Sequence, residues 1–233
     1  MKKFSKYLVF SFLVVLLSGC SLQTNDQKVT EIKKSGATVV KKDKLKEVIT
    51  RKREKRENLT KKEKWALLFI LEEEKMIRDL SYNFSDKYED KIFEDIYKAE
   101  NSHIDPVQKI VRDYNLDDPS SKKDVGEFHN PQIRMIYDEL LKQGQKDKVS
   151  AYKALLQALE RNISNLNENI DKTDKDGILF LFRNLRRSSK NHMKSLLNKI
   201  NSQGENYQPA HLSKPKLNSI KESEIDSGTW WPF

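Results

Sequence analysis

The chain is poor in cysteine, glycine and proline. Among its 233 residues there is one Cys, with 7 Gly and 6 Pro. A lone cysteine excludes a disulfide framework, a Cys-ligated zinc site and a Cys-x-x-Cys redox centre. So few breakers of regular structure exclude collagen, a Pro-rich linker protein and a turn-dense β-sandwich. No apolar run reaches the roughly 20 residues that a membrane-spanning helix needs. What the chain does have is 34% charged and 36% hydrophobic residues, the balance of a helical protein with a large surface. Its length allows one large domain or two small ones.

The N-terminus is organised as an address. Lys2, Lys3 and Lys6 precede an apolar run from Tyr7 to Leu17, and then comes Leu17-Ser18-Gly19-Cys20. Charge, a short apolar core and small residues in that order make a secretory signal peptide over residues 1–19. The small residues end on the only cysteine, which looks like a bacterial lipobox. Cys20 would then be acylated, with palmitate as the class of chain, and become the mature N-terminus. The expectation is an exported lipoprotein held on the extracytoplasmic face of the cell membrane by its lipid alone. An ordinary signal peptide with an incidental cysteine is the alternative.

The formal charge of +9 is concentrated near that anchor. Residues 41–56 carry +6, and the chain from residue 57 onward is close to neutral at −1. Residues 20–56 therefore read as a Lys/Arg-rich flexible stalk. Its basic run suits contact with anionic headgroups, at about 1 kcal/mol per basic residue near the surface; a solvated spacer is the other reading. Nucleic acid is not expected as a partner, because the run lacks interleaved aromatics.

From Leu59 the apolar positions repeat with a period near 3.6. Four long helices are expected, over residues 60–84, 89–113, 148–171 and 175–202. Thr60 and Glu63 form a capping box at the start of the first, and Pro106 should kink the second. The inward stripes are Leu67, Ile70, Ile77 and Phe84; then Phe93, Ile96, Val107 and Ile110. The third helix offers Tyr152, Leu156, Leu159, Ile163, Leu166 and Ile170, and the fourth Ile178, Phe182, Leu185, Leu196 and Ile200. More than thirty residues separate the second and third helices, including a short helix after Asn130-Pro131. A long middle connection with short outer loops makes an all-α four-helix bundle with a crossover. A coiled coil fits less well, since e/g charge pairing is not sustained. The bundle should occupy residues 57–212 and a tail residues 213–233.

Polar residues interrupt each stripe near its middle. Glu74 lies between Ile70 and Ile77, Glu100 and His103 between Ile96 and Val107, Glu160 between Leu156 and Ile163, and His192 between Leu185 and Leu196. At 1.5 Å per residue these groups fall within roughly 6 Å of one level. A buried carboxylate is costly unless it is paired or binds a cation. Carboxylates and imidazoles together suit iron, manganese or zinc, and Glu100-x-x-His103 sets two donors on one face. A buried ion-pair network that binds nothing is the alternative. Glu72 and Lys75 read as solvated, with Lys75 pairing along its helix. The closing Trp230-Trp231-Pro232-Phe233 could meet membrane, a partner or the end of the bundle.

Several runs recur together in one group of proteins. They are Glu72-Glu73-Glu74-Lys75-Met76-Ile77-Arg78-Asp79, Ala99-Glu100-Asn101-Ser102-His103, Gly126-x-Phe128-x-Asn130-Pro131, Tyr137-Asp138-Glu139-Leu140, Ser189-Lys190-Asn191-His192 and Tyr207-Gln208-Pro209. The chain resembles a bacterial ferritin-like domain family of unknown function, distantly similar to rubrerythrin. The resemblance implies a ferritin-like four-helix bundle but no established reaction. Carried over from ferritin-like di-iron proteins, it makes Glu74, Glu100, His103, Glu160 and His192 metal ligands. Three residues before His192 that pattern has glutamate, whereas this chain has Ser189. The loss leaves a two-iron site short of one charge, which Glu73 could supply; otherwise a single metal is the better match.

Three functions follow from this reading. One is a metal-dependent oxidoreductase or metal-handling domain, using iron in a mono- or dinuclear site or manganese, with an open coordination position for oxygen or peroxide. Another is a non-enzymatic, surface-tethered helical interaction module that has lost the site. The third, a storage cage, is opposed by the lipid tether and stalk.

Overall fold

The structure is a computed structural model that describes residues 30–41, 43 and 58–225. The signal sequence, Cys20, most of the basic run and the closing aromatics lie outside the described residues. Six helices and one small hairpin make up the ordered elements among them. Strands β1 (Thr30–Ile32) and β2 (Thr38–Val40) pair antiparallel, with Glu31 opposite Val39. The helices are α1 (Lys61–Tyr88), α2 (Lys91–Asp113), α3 (Pro131–Gly144), α4 (Lys148–Ile170), α5 (Asp176–Ser202) and α6 (Lys214–Glu222).

Local chemistry fixes the ends. Thr60 Oγ1 accepts the Glu63 N–H while Glu63 Oε2 accepts the Thr60 N–H, the reciprocal cap expected for α1. Asp90, Asn130 and Asp147 each cap the helix that follows with a side-chain oxygen. Pro131 begins α3, where a missing N–H costs nothing. Helix α2 continues through Pro106 rather than ending there.

The long helices form a ring in which α1 neighbours α2 and α4, and α5 neighbours α4 and α2. Two seams are covered from outside. Helix α3, carried by the crossover, packs over α1 and α4, and β2 packs over α2 and α5. All of the anticipated inward stripes are buried. They form two apolar clusters. One centres on Ile77, Leu80, Phe93, Ile96, Leu159 and Leu196, the other on Ile70, Val107, Leu166, Phe182 and Leu185. In α1, α2 and α5 the polar residues of interest fall between the two.

Three expectations change. Glu72 and Lys75, read as solvated, are 2% and 1% exposed, because the crossover closes over the outer face of α1. Glu72 accepts the N–H groups of His129 and Asn130. Lys75 does pair along its helix, with Asp79 at 2.6 Å, and it also donates to the Asp124 carbonyl and lies over the Phe128 ring. Residues 30–41, assigned to the stalk, form the hairpin that packs on the bundle. The tail begins with α6, whose Leu217 and Ile220 are buried in the core.

Asp79 joins the two parts. It is fully buried and accepts from Lys75, from Arg78 and from the Gly126 N–H of the crossover. Replacing one partner of a buried pair strands the other charge, at a cost of about 3–5 kcal/mol. Chemical denaturation of Asp79→Ala should show a loss of that order. The double variant Lys75→Met/Asp79→Leu should recover part of it, because no lysine charge is left without a partner.

Candidate metal centre

The polar layer between the two clusters comes from all four long helices and is closed to solvent. Glu74, Glu100, His103 and His192 are all fully buried. His103 Nδ1 lies 3.0 Å from Glu74 Oε2 and 2.7 Å from Glu100 Oε2. One donor atom from each of these three residues lies within 4.8 Å of the others, a group that could hold a metal ion. The i,i+3 spacing in α2 sets Glu100 beside His103, and α1 brings Glu74 across to them.

Hydrogen bonds fix the roles of the ring nitrogens. The Thr38 N–H of β2 donates to His192 Nε2 at 2.9 Å. That nitrogen is therefore an acceptor, and Nδ1 carries the hydrogen that is donated to Glu100 Oε1 at 3.0 Å. Ser188 Oγ donates to the Thr38 carbonyl at 3.0 Å, so it accepts from His103 Nε2, also 3.0 Å away. His103 Nδ1 is thus the nitrogen that faces the two carboxylates. The two rings are nearly parallel, with centroids 5.9 Å apart.

The charges follow from burial and proximity. Burial, followed by the charge of Glu100, pushes the Glu74 carboxyl up to about 8. Burial also pushes Glu100 up, but His103 and His192 outweigh it and hold Glu100 below the usual carboxylate range. Burial alone would lower His103, yet Glu100 and Glu74 raise it to about 10. At neutral pH the cluster without metal is an imidazolium held between an ionised and a protonated carboxyl.

The anticipated ligands do not all converge. Glu74, Glu100 and His103 do. His192 touches Glu100, but its Nδ1 lies outside the three-donor group. Glu160 is directed elsewhere, and its place in the ligand set is corrected. Its Oε2 accepts the N–H groups of Ala210 and Leu212 at 2.9 Å and that of His211 as well. The α4 residue that enters the layer is Asn162, two positions and about 200° further round the helix. Asn162 Nδ2 donates to Glu74 Oε1 at 2.9 Å, and Ser189 Oγ donates to Asn162 Oδ1 at 2.8 Å. Glu73 does not join either: its Oε1 accepts from Asn165. Asn162, Ser188 and Thr38 escaped the sequence reading. The position of Asn162 between Leu159 and Leu166 is the signal that could have found it.

Comparison with known proteins agrees with this frame. Residues 63–224 match the family described as an uncharacterized protein domain, DUF2202, and the chain belongs to that family. It is 33% identical over 170 residues to the uncharacterized protein MJ0754 of Methanocaldococcus jannaschii, covering 73% of this chain and 92% of that protein. A crystal structure of hypothetical protein MJ0754 from Methanococcus jannaschii superimposes with a TM-score of 0.72 at 32% identity, covering 74% of this chain and 98% of that one.

Binding a divalent cation here must displace the proton of Glu74 and the Nδ1 proton of His103. Both groups keep their protons above their ordinary pKa values, so affinity should rise with pH. Up to about pH 8, below the point where Glu74 ionises, log K should climb by close to two per pH unit, then by close to one until His103 loses its proton at about 10, and flatten beyond. Manganese titrations at fixed pH, with proton release followed in weak buffer, measure this; an affinity independent of pH would contradict the assignment.

Proposed function

We infer that the protein is a lipid-anchored, extracytoplasmic metal-binding protein of ferritin-like build, whose bundle holds one divalent cation, iron or manganese. The observation that carries this reading is the convergence of Glu74, Glu100 and His103 in the buried core. Two carboxylates and a neutral imidazole balance a single divalent ion, and this mixed oxygen and nitrogen donor set suits those metals. His192 supports the site by donating to Glu100. The α4 and α5 side of the layer offers the neutral Asn162 and Ser189 where a second ion would need carboxylates, which favours one metal over two.

The chemistry this suits is metal handling or a metal-dependent oxidation. A bound ion would supply Lewis acidity or redox change, and the surrounding helices would exclude water. Anchoring rests on the Leu17-Ser18-Gly19-Cys20 pattern, with the basic run of residues 41–56 set against anionic headgroups. No helix among the described residues is long and apolar enough to cross a membrane, so a lipid on Cys20 would carry the attachment.

The second reading, a tethered interaction module without metal, draws on the Asn162–Ser189 pair, which is satisfied without any ion. Elemental analysis of protein purified without tag or chelator separates the two. About one metal per chain is expected in the wild type and in Glu160→Gln, falling at least tenfold in Glu100→Ala and His103→Ala. Equal metal in the wild type and all variants would leave only the module. For the anchor, Cys20→Ser should move the protein from the membrane fraction to the soluble extracytoplasmic fraction; retention in the membrane would contradict it.

A further inference from the structure

A cavity of about 340 Å³ lies between α5 and α6. Arg183, Arg186, Arg187 and Lys190 line it from α5, while Ser219 and Glu224 line it from α6 and the residues just after. Spacings of three, four and seven residues set the four cations on one face of α5, over about 10 Å of its length. Asn191 shares that wall and donates to Thr38 Oγ1 at 2.7 Å, so the cavity adjoins the hairpin. Neutral amides orient two of the guanidiniums. Asn167 Oδ1 accepts from Arg186 at 2.8 Å, and Asn184 Oδ1 accepts from Arg187 at 2.9 Å. Burial, and next the Arg183 charge, hold Arg186 below the usual arginine range; Asp171 opposes this and Arg187 adds to it.

Cations crowded along one wall repel, and an anion set between them relieves the repulsion. A guanidinium keeps its charge at every ordinary pH, so the attraction depends on no titration. Each guanidinium has five N–H groups, and the bond from Arg186 to Asn167 leaves donors for a ligand. A carboxylate offers two oxygens. A phosphate offers more, and can bridge two guanidiniums and the Ser219 hydroxyl. Glu224 opposes an anion, but it is exposed and its field is screened by salt. We propose that this cavity binds a phosphate group, held chiefly by Arg183 and Arg186. Two sources share that chemistry, a soluble phosphate and the headgroup of an anionic phospholipid. Ten residues separate Cys20 from Thr30, so a lipid on Cys20 would keep headgroups within about 35 Å of the hairpin; only that source rests on the anchor reading. The site stands independently of the metal reading, since none of its cations belongs to the buried layer.

Calorimetric titration of the full chain, carrying Cys20→Ser so that no lipid contributes, with sodium phosphate at about physiological ionic strength tests it. One saturable site per chain is expected, with acetate at least tenfold weaker. Arg183→Gln/Arg186→Gln should weaken phosphate at least tenfold, the size of a lost charge-assisted hydrogen bond or more. Arg183→Gln alone, at an exposed position, should weaken it severalfold, with circular dichroism confirming the fold. Arg51→Gln/Arg53→Gln removes the same charge from the basic run and should leave phosphate binding unchanged. Vesicles of phosphatidylglycerol and phosphatidylcholine separate the sources. Weaker vesicle binding by the cavity double variant than by the basic-run variant assigns the headgroup, and equal binding by the two assigns a soluble phosphate. No saturable binding of phosphate would overturn the proposal. So would acetate that binds as tightly, a cavity double variant that binds phosphate unchanged, or a basic-run variant weakened as much as the cavity one.

Discussion

The contact on which most of this structure depends is His103 Nδ1 set between Glu74 and Glu100. Carboxylates this deep in an apolar bundle are tolerated only when something positive lies between them. In the metal-free state that positive group is the histidine itself, raised to about 10 by the two acids. Everything around it acts to keep this geometry. Ser188 receives the outer nitrogen of His103, the Thr38 backbone holds His192, and Asn162 takes the free oxygen of Glu74. The layer divides the core into two apolar clusters, so its position along the bundle is fixed by packing from both ends.

The layer is not symmetric. Its charge is concentrated on the α1 and α2 side, while α4 and α5 contribute an amide, hydroxyls and one imidazole. That asymmetry is the ground for proposing one ion rather than two, because two carboxylates match one divalent ion and would leave a second uncompensated. It also gives the hairpin a role. By donating its N–H to the outer nitrogen of His192 and accepting from Ser188 Oγ at its carbonyl, Thr38 orients both rings from outside the bundle. A short segment near the N-terminus thus helps to complete the interior of a helical domain, and the chain between hairpin and α1 is the basic run.

The helices were legible because the long ones each have a buried stripe at helical period, and α1 to α4 each begin at a capping side chain. The level of the site was legible too, as a shared interruption of four stripes. What could not be read was which polar residue on α4 enters it. Glu160 continues the spacing of Leu156 and Ile163, and Asn162 continues that of Leu159 and Leu166; both stripes are buried, and a carboxylate draws attention that an amide does not. The structure resolves this through distant chain. The segment at 210–212 presents three N–H groups that draw Glu160 Oε2 to them, a contact no local pattern announces. Glu72 and Lys75 were misread for the same reason, since the crossover that buries them lies some fifty residues away. The hairpin left no trace because its strands are three residues each.

The account is tested most directly by anomalous diffraction from crystals of the untreated protein, recorded above and below the iron and manganese absorption edges. One peak per chain is predicted, bounded by Glu74, Glu100 and His103 Nδ1, with none beside Asn162 and Ser189. Two peaks across the layer, or electron density for the buried acids and imidazole joined only to each other at full metal supply, would contradict it.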